Sequence, residues 1–530
     1  MAALWKSIGT VALLVTCFPA AWGQRVSDQP EKHVGASVHT SSGLVQGHIA
    51  ARRSGVSEYL GIPYAAPPIG HLRFAAPVAY KENGTVHGKS YPHSDCPANP
   101  IPTPDYPGFT PQGPRIVKTF TQQVNNPQSE DCLYLNVWSK PTVSKPKPVL
   151  LWIHGGRFTL GGSHSPYYDG QGLAGDHDVV VVTINYRLNI FGFSGAPGLP
   201  QNTGLLDQRM AVEWVHRNIA AFGGDPERIT IFGQSAGGSS VDYYSYAWAD
   251  KPLASGLISH SGTASSFVPN TQEYSTSAFY NVSKTLGCGD SKRDAHKVVA
   301  CVRQKPYRDI LMAVGKVPAA KTPALPQPVF HPTVDGVTVF GDYKKLSAAG
   351  KFARLPYLVT SNDYEAGYYH ISAYAANITL SEKAWDRFNL AAFTCPSGAA
   401  ARDRVAHGVP TWQSRYFGDW DNLRLHPHSG AYHGVDLPMV FGTAKQVSGI
   451  ANNERENDLS HYMASAWVAF AGDPKEGLSK FGWPRYNPEK KTLVGLGYKN
   501  STHAEFLKPQ QVEQGCAALH GDSLPGKGAF

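Results

Sequence analysis

The stretch Arg228-Ile229-Thr230-Ile231-Phe232-Gly233-Gln234-Ser235-Ala236-Gly237-Gly238 runs from an apolar segment into a Gly-x-Ser-x-Gly motif. The apolar half predicts a short buried strand, and the residues after the motif can form a helix. Glycines on both sides of Ser235 allow a sharp strand-to-helix turn, which lifts the hydroxyl out of the sheet beside a helix N-terminus. The stretch therefore predicts a nucleophilic serine, although a tight turn with a surface serine also fits the motif alone.

The composition indicates a globular protein with a modest positive charge. Hydrophobic residues make up 42% of the 530 residues and charged residues 17%, a balance typical of folded proteins. The formal net charge is +8, and the basic residues are scattered along the chain. Because nucleic-acid binding needs clustered basic residues, we expect no nucleic-acid partner.

Residues 1–23 have the pattern of a secretory signal peptide. Lys6 supplies the positive charge, an apolar core follows, and Ala21-Trp22-Gly23 forms a small-x-small cleavage site. The apolar run is far shorter than the roughly 20 residues that span a membrane, which argues against an anchor. We expect residues 24–530 to be exported without stable membrane insertion, with a net charge of +8 − 1 = +7 after Lys6 is lost.

The cysteines and sequons agree with export. Seven cysteines are present, and Cys17 would leave with the signal peptide. Six remain, an even number that suits disulfide formation in an oxidising compartment. Sequons for N-glycosylation predict surface loops at Asn83, Asn281, Asn377 and Asn500.

Two proline-rich stretches lie before the regular part of the pattern. In residues 56–74 the density of prolines argues against a helix or a central strand, so we expect an extended, ordered surface segment. Between Cys96 and Cys132 lie 35 residues rich in Pro, Asn and Gln, for which we expect a long loop. A disulfide at its base would make it a tethered lid over a site, or a stapled loop without function.

From residue 133 the pattern alternates between apolar strands and helices. Strands are predicted at 133–138, 149–153, 179–184, 229–232, 256–258 and 356–360, and helices at 204–222 and around the stripe Leu459 to Phe470. This alternation predicts a mostly parallel sheet with helices on both faces. The candidate catalytic residues fall in different thirds of the chain, so we expect one α/β domain over 24–530.

Three further stretches can complete a serine-hydrolase site. The loop Ile153-His154-Gly155-Gly156-Arg157-Phe158 follows a buried strand, and its backbone N–H groups, with that of Ala236, can bind an oxyanion. His433 lies among small residues in a loop, where it can act as a base. Asp363 and Glu365 both follow the strand at 356–360, and the pattern leaves open which of them is the acid.

The chain resembles the type-B carboxylesterase/lipase family of α/β-hydrolases, which includes cholinesterases and secreted fungal esterases. The resemblance extends from about Leu60 to Phe470. The motifs that carry it are Gly61-Ile62-Pro63-Tyr64-Ala65, Glu130-Asp131-Cys132-Leu133-Tyr134-Leu135-Asn136-Val137, Asn185-Tyr186-Arg187, Phe222-Gly223-Gly224-Asp225-Pro226 and Gly233-Gln234-Ser235-Ala236-Gly237.

The resemblance implies a role for each site residue. Ser235 matches the nucleophile, His433 the general base and Glu365 the acid. Ser261 matches a serine that hydrogen-bonds the glutamate, and Gly156, Arg157 and Ala236 form the implied oxyanion hole. The implied disulfides are Cys96–Cys132, Cys288–Cys301 and Cys395–Cys516.

This chain departs from the family pattern in three places. Arg157 stands where a third small residue is usual, and Ala366 stands where a glycine usually follows the acid. The Cys96–Cys132 loop lacks the tryptophan with which cholinesterases hold a quaternary ammonium, so we do not expect a cholinesterase. If the side chain of Arg157 points into the pocket, we expect a preference for substrates with an acidic or polar acyl part.

The function predicted from the sequence is a secreted serine hydrolase that cleaves small carboxylic esters through an acyl-enzyme on Ser235. No metal or organic cofactor is signalled. Two alternatives are an acyltransferase or tailoring esterase of a secreted natural-product pathway, and a catalytically inactive, cholinesterase-like binding protein. The natural ester, the acyl-chain length and the oligomeric state stay open.

Overall fold

The computed structural model describes residues 33–91, 94–99, 103–121, 127–141, 145–318 and 327–519. The predicted signal peptide lies outside these residues, and the single-domain assignment stays a prediction. The strands are β1 Val38–Thr40, β2 Gly43–Gln46, β3 His48–Ala50, β4 Arg53–Pro63, β5 Thr85–His87, β6 Tyr134–Ser139, β7 Lys147–Ile153, β8 Val180–Ile184, β9 Gly224–Gln234, β10 Gly256–His260, β11 Tyr357–Asn362, β12 Thr411–Tyr416, β13 Leu493–Leu496 and β14 Glu505–Leu507.

The helices lie mainly between and after these strands. They are α1 Gly113–Thr121, α2 Gln171–Asp176, α3 Asn189–Gly192, α4 Thr203–Asn218, α5 Ala236–Ala247, α6 Gln272–Thr285, α7 Ala295–Arg303, α8 Tyr307–Val314, α9 Tyr343–Ala348, α10 Ala366–Ala375, α11 Glu382–Asn389, α12 Cys395–Ala406, α13 Leu437–Phe441, α14 Ala444–Ser448, α15 Glu454–Gly472, α16 Gly477–Lys480, α17 Gln510–Glu513 and α18 Cys516–Leu519. A π-helical turn, Leu390–Thr394, joins α11 to α12. Among the described residues, no helix is both long enough and apolar enough to cross a membrane.

An eleven-stranded sheet organises the molecule, in the order β3-β4-β6-β8-β7-β9-β10-β11-β12-β13-β14. The seven strands from β8 to β13 pair in parallel, and the pairings outside them are antiparallel. The predicted mostly parallel sheet is therefore confirmed. A separate small sheet contains β1, β2 and β5.

Both faces of the sheet are covered. Along β7, Val149 and Leu151 belong to one buried cluster, and Leu150 and Trp152 belong to another. Successive side chains of a strand point to opposite faces, so the two clusters lie on opposite sides of the sheet. Helix α4 contributes to the first cluster and α15 to the second, which confirms the predicted helices on both faces.

The predicted stripe in α15 faces the core. Leu459, Met463, Trp467 and Phe470 are all fully buried. Asn453 caps the helix N-terminus in a reciprocal capping box with Glu456. The box satisfies two backbone N–H groups that would otherwise lack partners in the first turn.

The prediction of a surface segment over residues 56–74 is wrong. Strand β4 pairs with β3 on one side and with β6 on the other, and it is buried from Val56 through Leu60. Pro63 is its last residue and pairs with Tyr134 of β6, and the other prolines come after it, so the prolines end the strand rather than interrupt it. Phe74, at the end of the segment, is also fully buried.

The three disulfides are Cys96–Cys132, Cys288–Cys301 and Cys395–Cys516, the same pairs that the resemblance implies. The Cys96–Cys132 disulfide closes the long loop that the sequence predicts as a lid, called the lid loop from here on. This loop contains helix α1, which was not predicted from the sequence. Pro114 lies at the start of α1, where the missing N–H of a proline is tolerated. Ile116 and Val117 lie on the buried face of this helix. The Thr110 N–H donates to the Leu425 carbonyl at 2.9 Å and fixes the loop to the body.

Candidate active site

Ser235 occupies a strained turn between β9 and α5. Its φ is 59° and its ψ is −121°, a backbone conformation that residues other than glycine rarely adopt. Its N–H donates to the His260 carbonyl at 2.8 Å. A Cβ added to Gly233 would lie 2.6 Å from the backbone carbonyl carbon of Gly237, so the close approach of the two segments needs glycine. The turn has the form that the sequence motif predicts.

His433 and Glu365 form a buried pair. The imidazole donates from Nδ1 to the Glu365 carboxylate at 2.7 Å, and the His433 N–H donates to the Glu365 carbonyl at 3.3 Å. A neutral imidazole held in this way keeps its lone pair on Nε2. Asp363, the other candidate acid, pairs instead with Arg415 at 3.0 Å, and its side chain is 48% exposed. The structure therefore brings Glu365, not Asp363, to His433.

The predicted hydrogen bond from Ser261 to Glu365 is wrong. The Ser261 hydroxyl is buried but has no hydrogen-bond partner among the described residues. The second carboxylate oxygen of Glu365 instead accepts the backbone N–H of Asn362, the last residue of β11, at 2.7 Å. A backbone donor gives no residue-type signal in a sequence, so the search for a side chain missed it.

Several neighbours of His433 were also missed at the sequence level. The Gln234 side-chain amide lies 3.0 Å from His433 Nε2. The aromatic rings of Phe393 and Tyr369 lie 5.0 and 5.2 Å from the imidazole, measured between ring centroids. Phe393 comes from the π-helical turn and Tyr369 from α10. The position of Gln234, directly before the predicted nucleophile, was the one available signal.

The residues predicted for the oxyanion hole lie in the loop after β7 and at the start of α5, two segments that adjoin Ser235. A Cβ added to Gly155 would lie 3.0 Å from the Ser235 Cβ, so the loop after β7 runs beside the serine. Gly156 has a φ of 104° and leaves no room for a side chain, because its Cβ would lie 2.1 Å from the Leu160 carbonyl oxygen. Ala236 begins α5, where a helical N–H has no carbonyl partner within the helix.

Ser235 and His433 line the same cavity of about 310 Å³. This volume is at the lower end of the range for small-molecule sites. The lid loop supplies part of the wall. The lining residues are Thr103, Pro104, Val117, Phe120, Gly155, Gly156, Arg157, Leu160, Gly161, Tyr168, Gln234, Ser235, Tyr368, Tyr369, Ile371, Ser372, Ala375, Ala376, His433 and Leu437.

Burial dominates the electrostatics of the cavity walls. It raises the pKa of Tyr368 to about 12 and also raises the pKa of Tyr369, and in both cases the positive charge of Arg157 acts in the opposite direction. Next to the lining residue Gly155, burial lowers the pKa of His154 to about 4. The tyrosines are therefore neutral hydrogen-bonding groups at neutral pH, and His154 is uncharged.

Three of the four sequon asparagines, Asn83, Asn281 and Asn377, are exposed. Asn500 is half-buried, and its amide exchanges two hydrogen bonds of 3.1 Å with the backbone of Asp419. Within the described residues, no group of three or more His, Cys, Asp or Glu side chains could hold a metal ion.

Together these features define an α/β-hydrolase. Ser235, Glu365 and the loop at Gly155 each follow the carboxyl end of a parallel strand, which is where open sheets of this kind bind ligands. A serine at a strand-to-helix turn beside an imidazole–carboxylate pair is the arrangement of serine hydrolases.

The chain belongs to the carboxylesterase family, whose model matches residues 35–391 and 379–514. It is 35% identical to the chlorogenic acid esterase of Aspergillus niger, over 91% of this chain and 89% of the relative. It is 33% identical to secreted lipase 5 of Gibberella zeae, over 95% and 98% of the two chains. A solved PNB esterase matches with a TM-score of 0.74 and 30% identity, over 91% of this chain and 99% of that chain. The protein is therefore a carboxylic ester hydrolase.

Proposed function

We propose that this protein is a secreted serine esterase that hydrolyses small carboxylic esters through an acyl-enzyme on Ser235. One observation carries the proposal: Glu365 holds Nδ1 of His433 at 2.7 Å, and the imidazole and the Ser235 hydroxyl face one cavity. A carboxylate in this position fixes the tautomer that leaves Nε2 free of a proton, and it stabilises the imidazolium that forms during catalysis.

In the first step, His433 accepts the proton of Ser235 while the serine oxygen attacks the ester carbonyl carbon. The Gln234 amide leaves Nε2 when the serine hydroxyl takes its place. Backbone N–H groups of Gly156, Arg157 and Ala236 donate to the tetrahedral oxyanion, and each such donor contributes about 3 kcal/mol in serine proteases. The imidazolium then protonates the departing alcohol.

In the second step, water attacks the acyl-enzyme. His433 takes a proton from the water, and the carbon–oxygen bond to Ser235 breaks as the serine regains its proton. The carboxylic acid leaves, and the resting enzyme returns. Each proton moves through the same Nε2 atom, so one imidazole serves both steps.

We place the protein outside the cell. The support is the signal-like segment at 1–23, three disulfides and the similarity to a secreted lipase. Disulfides persist in oxidising compartments. Glycans at Asn83, Asn281 and Asn377 are part of this proposal because all three side chains are exposed. Asn500 would have to give up its contacts with Asp419 to carry one.

A fluorophosphonate probe tests the nucleophile. We expect the probe to label Ser235 in the intact enzyme, as located by mass spectrometry of peptides, and to block hydrolysis of 4-nitrophenyl acetate. The Ser235→Ala variant should take up no label and show no turnover. A folded sample that resists the probe would contradict the proposal and favour an inactive binding protein.

Product analysis separates hydrolysis from acyl transfer. With 4-nitrophenyl esters of increasing chain length, we expect free acid as the main product even when an alcohol is added. A new ester that accumulates at the expense of the acid would identify an acyltransferase. The same series gives the acyl length that the cavity accepts.

A further inference from the structure

Arg157 occupies a backbone position that suits glycine better than arginine. Its φ is 57°, and that of Phe158 is 62°. The Gly156 carbonyl closes the turn by accepting the N–H groups of Thr159 and Leu160 at 3.0 and 3.1 Å. Long side chains rarely adopt this conformation, and strain of this kind concentrates at functional sites. The arginine therefore costs stability at a position where a glycine would not.

The side chain of Arg157 lies at the wall between two cavities. It lines the cavity of Ser235, and it also lines a small neighbouring cavity of about 20 Å³ together with Ala236 and His331. Burial lowers the pKa of His331 to about 3, and the charge of Arg157 acts in the same direction. Arg157 is half-buried and contributes to the lining of both cavities.

The cavity of Ser235 presents a positive charge to a ligand. Among its described lining residues, none is an aspartate or a glutamate, and Arg157 is the one permanent cation. The nearest catalytic carboxylate, Glu365, has both oxygens engaged, by His433 and by the Asn362 N–H. A cation in a partly dehydrated site attracts anions more strongly than one in bulk water.

Guanidinium groups suit carboxylates. The planar fork of arginine can form two parallel hydrogen bonds to one carboxylate, and it is less strongly hydrated than an ammonium group. Because the backbone of Arg157 lies in the oxyanion loop, an anion bound by its side chain lies close to the scissile carbonyl. Neutral esters fill the same aromatic cavity without this contact.

We propose that Arg157 makes the enzyme selective for esters that carry a carboxylate group near the scissile bond. This proposal rests on the proposed serine-esterase function of the same site. The carboxylate belongs either to the acid part or to the alcohol part of the ester, and both place the same anion in reach of the guanidinium.

Two pairs of substrates test the preference. Monomethyl terephthalate and methyl 4-carbamoylbenzoate differ by a carboxylate on the acid part, and 3-acetoxybenzoate and 3-acetoxybenzamide differ by one on the alcohol part. We expect the intact enzyme to favour the carboxylate in at least one pair by about ten- to hundredfold in kcat/KM, mainly through KM, as for a charge-assisted hydrogen bond. The pair that shows the preference identifies the part that binds Arg157.

Two variants assign the preference to the side chain. Arg157→Met keeps the length and the backbone N–H but removes the charge, so the ratio of kcat/KM between the two members of the preferred pair should fall toward one, whatever the change on the neutral member. Arg157→Lys should keep part of the preference. The matched control is Arg53→Met, because Arg53 pairs with Asp176 on the surface and is not among the residues that line the cavity.

The outcomes separate the two proposals. No hydrolysis and no fluorophosphonate label in the intact enzyme would overturn the proposed function. Hydrolysis without a carboxylate preference in either pair would overturn the role of Arg157 alone. An equal fall in kcat/KM on charged and neutral esters, in Arg157→Met protein that still takes up the fluorophosphonate label, would also overturn the role of Arg157 in selectivity. It would assign the charge to transition-state stabilisation.

Discussion

Two imidazole–carboxylate pairs lie side by side in this molecule, and they differ in what the second ring nitrogen meets. His433 donates from Nδ1 to Glu365 at 2.7 Å, and its Nε2 faces Gln234 at the cavity. His260 pairs through Nδ1 with Asp436 at 2.8 Å, but its Nε2 accepts the indole N–H of Trp467 at 2.9 Å inside the core.

The comparison shows that the pair alone does not make a base. Both carboxylates orient an imidazole, and Asn362 links them: its N–H donates to Glu365, and its side-chain amide donates to Asp436 at 3.1 Å. The two histidines differ in the accessibility of Nε2, because the Nε2 lone pair of His260 accepts the N–H of Trp467 in the core. Nε2 of His433 meets the Gln234 amide at the wall of the cavity that Ser235 also lines.

The largest effect should come from removing the accessible imidazole. In His433→Gln, no group is left to take the proton of Ser235, so we expect kcat to fall about 10⁵- to 10⁶-fold. The measurement is hydrolysis of 4-nitrophenyl acetate by folded protein. The matched His260→Gln variant should keep the acyl-transfer chemistry, and an equal fall in kcat there would abolish the distinction between the pairs.

The second largest effect should come from Glu365→Gln. The amide can donate to Nδ1 and thereby favour the wrong tautomer, so we expect kcat to fall about 10⁴-fold while KM changes little. Fluorophosphonate labelling should slow in parallel. Asp363→Asn is the matched control, since Asp363 pairs with Arg415 rather than with His433. An equally large loss of kcat in Asp363→Asn would identify Asp363 as the acid instead.

Two buried histidines should make the folded protein sensitive to acid. Burial lowers the pKa of His154 to about 4 and that of His331 to about 3. Below about pH 6.5 the unfolded chain binds protons that the folded one does not. The contribution of the two neutral histidines to the free energy of unfolding is therefore full above that pH. It falls as the pH drops toward 4, by about 3 kcal/mol for each histidine.

Urea denaturation at pH 7.5, 5.5 and 4.5 measures this slope. His331→Gln should flatten it, and substitution of the exposed His503 by Gln should not. An unchanged slope in His331→Gln would show that this histidine takes up a proton without unfolding.

The His260–Asp436 pair should affect the free energy of unfolding more than the rate of catalysis. In Asp436→Asn, the hydrogen bond from His260 loses its charged acceptor, so we expect the free energy of unfolding to fall by about 2 kcal/mol. We expect kcat/KM to stay within about tenfold, because Glu365 keeps its own bonds. A loss of activity without a loss of stability would mean that Asn362 transmits the change to the site.

The smallest effect concerns Gln234, whose amide lies 3.0 Å from Nε2 of His433, the atom that the proposed mechanism assigns to the serine hydroxyl. Gln234→Met removes a competing hydrogen bond of ordinary strength, so we expect kcat/KM to rise about two- to tenfold. Steady-state kinetics on one neutral ester suffices. A fall of similar size would show that the amide positions the imidazole instead.

Much of the fold could be predicted because its signals are local. Continuous apolar runs marked β7, β8 and β9, and the glycines around Ser235 marked the turn. The error at residues 56–74 arose because proline density was averaged over the whole segment. Strand β4 ends at Pro63, and the proline rule applies only to residues inside a strand.

The site was less predictable because its parts come from distant segments. The resemblance to the carboxylesterase family selected Glu365 over Asp363 as the acid, and the residue types alone left both open. The Asn362 donor is a backbone group, and Phe393 reaches His433 from a helix that shares no motif with it. Such contacts depend on how elements pack, and no spacing in the chain encodes them.

The disulfide between Cys395 and Cys516 closes a covalent circuit with a sequence separation of 121. His433 lies inside that circuit, whereas Ser235 and Glu365 lie outside it. A protease that cuts the backbone once between the two cysteines therefore leaves both fragments joined, and His433 stays attached to the rest of the enzyme. Release of His433 after that single cut also requires a reductant, so proteolysis and reduction act together on this half of the molecule.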